Sequence, residues 1–270
     1  MIFMKKIELE ELKKIQIKIL DYVDEFCKNN SINYWLDCGT LLGAIRHKGY
    51  IPWDDDIDIG MLRDDYEKFM KLFNKYNDSQ YKFHCYEIDN EWHLPYGKIL
   101  DENTIMYEPD EKTGIKQSVF IDLFVYDNAP NDEKELNKMY KKRDLYKKLN
   151  NLQIYSGFYI EKKNKYNFIR YPIHLLMQLF PKRYFVKKGI ELSKKYSNEE
   201  TTRIGNFTSS TKICCNKDIF NIFVKVEFEG KKYLAPVGYD EWLKSFYGDY
   251  MKLPPKEKRV SHHRFVAYYK

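Results

Sequence analysis

Residues 34–60 read YWLDCGTLLGAIRHKGYIPWDDDIDIG, an apolar run broken at Gly39-Thr40 and closed by a pentad, residues 54–58, that holds four carboxylates. Asp56 and Asp58 flank Ile57, and Ile59 follows. In an extended strand, side chains two apart share a face. Asp56 and Asp58 are therefore expected side by side, with Ile57 and Ile59 on the opposite, buried face. Two carboxylates that close repel each other unless a cation lies between them. An all-oxygen pair suits a hard ion, Mg²⁺ or Mn²⁺, better than zinc. Such an arrangement serves phosphate chemistry.

Outward from this stretch, residues 7–29 read as an amphipathic helix, because Leu12, Ile15, Ile19, Tyr22, Val23 and Phe26 recur at helical spacing between Lys and Glu. Residues 33–37 read as a short strand, and residues 41–47 as the start of a helix after the break at Gly39-Thr40. A second helix is expected over 64–76, and strands over 81–88, 93–100 and 119–126. The last of these, VFIDLFVY, has the near-continuous apolar character of a strand buried on both faces. It carries one carboxylate, Asp122, which is costly to bury unless paired or metal-bound. A hydrogen-bonded structural Asp would satisfy that rule. The acidic strand earlier in the chain favours a third ligand for the Asp56–Asp58 cation.

The alternation of strand and helix patterns gives an α/β class with a mixed sheet. Residues 1–130 read as the catalytic core, 131–215 as a helical subdomain and 216–270 as a C-terminal segment packing back on the core. Within the middle region, NFIRYPIHLLMQLFPKRYFVKK (residues 167–188) sets an apolar stretch between basic flanks. A helix packed into a core is the favoured reading; a segment lying on a membrane, its basic ends meeting anionic headgroups, is the other. Pro172 and Pro181 bracket it, which leaves it too short to span. Residues 219–228 and 232–235 suit a hairpin across 229–231, and a last helix is expected near 239–246.

The 270 residues suffice for a substantial core, rich in aromatic side chains given 24 Tyr and 17 Phe. A net charge of +6 fits an anionic partner such as a nucleotide, a phosphorylated glycan or a membrane surface, and falls short of a dedicated nucleic-acid binder. The five cysteines include no CxxC pair, which points to a reduced protein without a zinc site. With no signal-peptide core and no membrane-spanning run, a cytoplasmic protein is expected.

The Gly-Thr pair after a strand, the DxD-type pair between apolar residues and the later strand with one Asp together resemble the polymerase-β-like nucleotidyltransferase fold. More closely, YWLDCGTLLGAIRHKGYIPWDDDIDIG resembles the signature of the LicD family of phosphocholine transferases, which includes the fukutin-related proteins. The resemblance extends to FIDLFVYD (residues 120–127) and YGDYMKLPP (residues 247–255) and is weakest in the helical middle. It implies transfer of a phosphorylated alcohol, typically phosphocholine from CDP-choline, onto a sugar hydroxyl of a surface glycan or teichoic acid precursor, releasing CMP. It also implies that Asp56, Asp58 and Asp122 hold one or two Mg²⁺ ions on the donor diphosphate, with Asp122 as candidate general base. Because acceptors in the family are often lipid-linked, a peripheral visit to the inner membrane face is expected.

Other residues can be placed around that centre. Gly39 permits close backbone approach to a phosphate, and the Thr40 amide and hydroxyl could bind its oxygens at a helix start. Arg46, His47 and Lys98 fit either phosphate contacts or surface salt bridges. Asp54 and Asp55 fit a loop-orienting or water-mediated metal role, or a solvated acidic turn. Arg259 and His263 follow Pro254-Pro255 and fit a flap over phosphate or a loose tail. Trp53 and Trp92 suit cation–π contact with choline, though most aromatic residues are core. Two rival readings are a nucleotidyltransferase that releases pyrophosphate from ATP or CTP, and a non-catalytic metal- or nucleic-acid-binding module. The pentad lacks the Gly and terminal Glu of an EF-hand.

Overall fold

The VFIDLFVY run lies inside the longest strand, β6 (Gln117–Ala129), in a computed structural model that describes residues 5–107, 117–154, 167–260 and 266–270. β6 is central to a nine-stranded mixed sheet ordered β1 (Lys6–Ile7), β11 (Val266–Tyr269), β5 (Gly97–Tyr107), β6, β3 (Asp58–Leu62), β2 (Trp35–Leu36). β4 (Tyr81–His84) also pairs with β5, and β7 (Arg203–Asn206) bridges β6 to β8 (Ile213–Asn216). Among the described residues β3 and β6 run parallel and the other pairs antiparallel. The α/β expectation with a mixed sheet is met.

Nearly every residue of β6 is buried, as its apolar run requires. α1 (Leu9–Asn29) packs on the sheet with Leu12, Ile15, Ile19, Leu20, Val23 and Phe26 buried, the stripe that its periodicity predicts. Glu10 and Glu11 in its first turn and Lys28 in its last suit the helix dipole. Phe26 meets Phe69 of α3 (Arg63–Leu72) and the following Phe73 with ring centroids 5.8 and 4.9 Å apart. In β3, Gly60 admits the Trp35 indole from β2; a Cβ there would lie 2.5 Å from the ring.

α4 (Glu133–Ile154), α5 (Asn167–Met177) and α6 (Tyr184–Ser193) form the expected helical group. The later part of the 131–215 span contributes β7 and β8 to the main sheet. The hairpin forms as β9 (Phe223–Phe228) and β10 (Lys231–Pro236), turning at Glu229 and Gly230, both at positive φ. The Glu229 carboxylate accepts the Tyr50 amide at 3.0 Å, so the hairpin tip clasps the loop leading into the acidic pentad. α7 (Tyr239–Tyr247) completes the helices.

Two expectations need correction. Gly39 and Thr40 lie inside the first turn of α2 (Cys38–His47), since Asp37 caps the helix two residues earlier than the Gly-Thr break suggests. The core reading of α5 fails: Phe168, Ile169, Tyr171, Leu175, Leu176 and Leu179 are exposed, and its anchor to α4 is largely polar. No helix of the described residues is long and apolar enough to cross a membrane.

Candidate active site

Three neighbouring strands set the centre. In the β3–β6 register Asp58 lies opposite Asp122, and in the β5–β6 register Lys98 lies opposite the same Asp122. Directly opposed residues present their side chains on one face of a sheet, a few ångströms apart. A row of Asp58, Asp122 and Lys98 therefore crosses the sheet. The Lys98 ammonium sits 3.0 Å from Asp122 Oδ1, with both side chains nearly shut off from solvent, and over the Phe120 ring at 3.1 Å from its centroid. The surface salt bridge that the sequence allowed for Lys98 is thus a buried ion pair.

Ahead of β3 the chain alternates: Asp55, Ile57 and Ile59 are buried, while Asp54, Asp56 and Asp58 are half-buried and line a common cleft with Asp122. The expected pairing of Asp56 with Asp58 on one face is present, and Asp54 joins them. One carboxylate oxygen from each of Asp54, Asp55 and Asp56 lies within 4.8 Å of the others. Burial, then the neighbouring Asp56 and Asp122, push the Asp58 carboxyl well above the usual carboxylate range. So many acidic oxygens around one cleft form a hard donor set that suits Mg²⁺ or Mn²⁺.

The start of α2 closes in on the same carboxylates. Asp37, fully buried, caps the helix by accepting the Cys38 amide at 2.9 Å and also accepts the Tyr126 hydroxyl at 2.5 Å. Burial raises its pKa despite these bonds. Cys38 holds φ 45°, a strained value for a side chain of this kind. At Gly39 a Cβ would lie 2.6 Å from Asp54 Oδ2, so any larger residue would push that carboxylate aside. The close approach that Gly39 allows is thus to the acidic pentad. Thr40 Oγ1 accepts the Asp58 amide at 2.8 Å, which ties the helix to the first residue of β3.

The cleft, of about 1010 Å³, has its other wall in residues 246–258. Tyr247 lines the cleft with 40% of its surface exposed; partial desolvation, then Cys38, Asp58, Asp37 and Asp54, raise its phenol well above normal. Gly248, at φ 64° and ψ −123°, turns the chain out of α7. Arg46 lines the cleft and donates to the Tyr250 carbonyl at 2.7 Å and to His47 Nε2 at 2.9 Å. Burial and Arg46 together lower the His47 pKa. Arg259 donates to the Pro254 carbonyl and lies 5.7 Å from the centroid of Trp53, whose face it shares in place of a free aromatic surface. Trp92 stacks on His84 and donates to the Tyr96 carbonyl, away from the cleft. His263 lies outside the described residues.

Two contributors escaped the sequence. Gln16 of α1, almost fully buried, donates to the carbonyls of Asp55 and Phe120 at 3.0 and 3.3 Å and accepts the Tyr50 hydroxyl at 2.9 Å. It joins the pentad to β6. Its one sequence signal is a polar residue inside an apolar helical stripe. Tyr247 belongs to the YGDY motif, but only folding shows that it faces the acids.

The family described as LicD/FKTN/FKRP, nucleotidyltransferase domain, matches residues 31–153, which include the α2 start, the pentad, Lys98 and Asp122. Lipopolysaccharide cholinephosphotransferase LicD of Haemophilus influenzae is 35% identical over 270 residues, 98% of this chain and 99% of that protein. An uncharacterized protein of Rickettsia typhi is 28% identical over 155 residues, 57% of this chain and 46% of its own. Ribitol 5-phosphate transferase FKRP of Homo sapiens is 46% identical over 44 residues, 16% of this chain and 9% of that protein. With this likeness along almost its whole length, the chain belongs to the LicD family.

Proposed function

We propose that this cleft transfers a phosphorylated alcohol from a CDP-linked donor to a sugar hydroxyl of a surface glycan or teichoic acid precursor, with CDP-choline the first donor to test. The observation that carries the reading is the row Asp58, Asp122, Lys98, whose two acids line the cleft beside Asp54 and Asp56. The full-length likeness to a lipopolysaccharide cholinephosphotransferase supports the choice of group and acceptor class.

In this reading the acceptor oxygen bonds to the phosphorus bearing the alcohol. The bond from that phosphorus to the bridging oxygen breaks, and CMP leaves with the bridging oxygen. Asp122 takes the hydroxyl proton as general base. Lys98 fixes Asp122 in direction through their ion pair at 3.0 Å. Asp56 and Asp58, with Asp54 and Asp122 beside them, would hold Mg²⁺ or Mn²⁺, which when bound neutralises charge on a diphosphate. Arg46 and the first-turn amides at Gly39 and Thr40 bind phosphate oxygens from one side. The Thr40 hydroxyl, which accepts the Asp58 backbone amide, fixes the start of β3. Arg259 and the 246–258 wall close the cleft on the other side.

The test is incubation with Mg²⁺ and CDP-choline, CDP-ethanolamine, CDP-ribitol, CTP or ATP, reading thermal stabilisation and released product. Metal-dependent stabilisation by one CDP-alcohol, with CMP release on adding a glycan acceptor, is expected. Asp58→Asn should abolish transfer while the fold persists. Pyrophosphate release from ATP or CTP would replace this reading with nucleotidyl transfer.

A further inference from the structure

α5 is amphipathic with its faces reversed. At 100° per residue, Phe168, Ile169, Tyr171, Leu175 and Leu176 fall on one arc, and Leu179, just past the helix, continues it. All six are exposed, Phe168 at 74% and Leu179 at 79%. The inward arc carries His174 and Met177, both buried. His174 Nδ1 lies 2.6 Å from the Leu152 carbonyl, and Gln178 donates to the Gln153 carbonyl at 2.9 Å. Polar groups thus fasten the helix to α4 while a contiguous apolar surface faces out. Patches of this kind mark interaction sites.

Charge identifies what covers it. From residue 167 to 188 the chain carries Arg170, Lys182, Arg183, Lys187 and Lys188 and no Asp or Glu. The first carboxylate after them is Glu191, which Lys188 pairs at 2.7 Å. Lys182 is exposed directly beyond the apolar arc. A second copy meeting this face would bring no carboxylate from the same segment to meet Lys182. An apolar strip with an exposed Lys182 at its end and no carboxylate along residues 167–188 fits instead the boundary between acyl chains and anionic headgroups. The helix has 11 residues, whereas spanning takes about 20, so it lies along the surface. We infer that α5 is a membrane-surface anchor that seats the protein on an anionic bilayer with Phe168, Leu175, Leu176 and Leu179 in the acyl boundary. This is independent of the proposed chemistry, since binding needs no turnover.

The experiment is co-sedimentation of the full chain with phosphatidylcholine vesicles, with and without phosphatidylglycerol, over a salt series. Salt-sensitive binding to the anionic vesicles alone is expected. Leu176→Glu and Leu179→Glu, both at exposed positions, should each lower partitioning about tenfold or more with unchanged thermal unfolding. Lys182→Glu should weaken binding and flatten its salt dependence. Absence of binding at low salt would overturn the inference, as would equal binding to neutral vesicles. Binding that both leucine variants leave intact would also overturn it. A concentration-dependent dimer abolished by Leu179→Glu would assign the face to self-association instead.

Discussion

Replacing Lys98 with methionine should be among the most destabilising single changes near the cleft that leave its volume almost intact. The side chain is buried and its ammonium is 3.0 Å from Asp122 Oδ1. On the other side, Asp58 occupies the paired position, so the methionine variant would keep two facing acids and lose this ion pair. Removing one partner of a buried pair costs about 3–5 kcal/mol, because the other is left uncompensated. Against a total stability of about 5–15 kcal/mol that is a large fraction. Urea unfolding of wild type, Lys98→Met, Asp122→Asn and the double variant measures it, with m held common if the transitions stay two-state. The double variant should recover much of the loss, since it removes both charges of the pair. A Lys98→Met cost below about 1 kcal/mol, or a double variant no better than the single, would refute the claim that this pair neutralises the centre of the sheet.

Thr40→Val keeps the shape of the side chain but removes the acceptor of the Asp58 amide; it should cost about 1–3 kcal/mol, with Thr40→Ser close to wild type in the same urea assay. Gly248→Ala meets no atom nearby, so its cost is the backbone conformation alone, about 1–3 kcal/mol, and it should also displace Tyr247 and raise the donor KM. The pKa of His93 is lowered by burial and then by the Lys98 charge. The unfolded chain therefore binds that proton first, and the stabilising contribution, complete above the ordinary histidine value of about 6.5, is lost as pH falls below it. Melting temperature should thus fall more steeply below that pH in wild type than in His93→Gln; parallel curves would contradict the shift.

Much of the fold can be read from periodicity alone. The stripe of α1, the buried run of β6 and the β9–β10 hairpin are local patterns, and each forms within a few residues of its expected bounds. β7 and β8 do not announce themselves, because RIGN and ICCN are short and lack clean alternation. In the cleft, the carboxylates Asp56, Asp58 and Asp122 stand out because acids in apolar runs are costly. Lys98 could not be paired from sequence, since its partner follows from a strand register between distant segments. Thr40 and Gly39 stand in the motif, but their contacts to Asp58 and Asp54 needed coordinates. The exposure of α5 was hidden for another reason. A helical moment gives the width of an apolar face and says nothing of whether that face points in or out.

The parallel pairing of β3 with β6 has a consequence for how the protein comes into being. Asp58 meets its register partner Asp122 only after the intervening chain, including α3, β4 and β5, has been threaded into place. Contacts so remote along the chain close large loops before they return any free energy, and they slow folding. On the ribosome, where synthesis proceeds at about 5–20 residues per second, the acidic pentad waits several seconds for its neighbours. During that interval Ile57 and Ile59 are without the strand that buries them, and the nascent β2–β3 ribbon offers an open edge. Chaperone dependence and aggregation should therefore concentrate on this early stage.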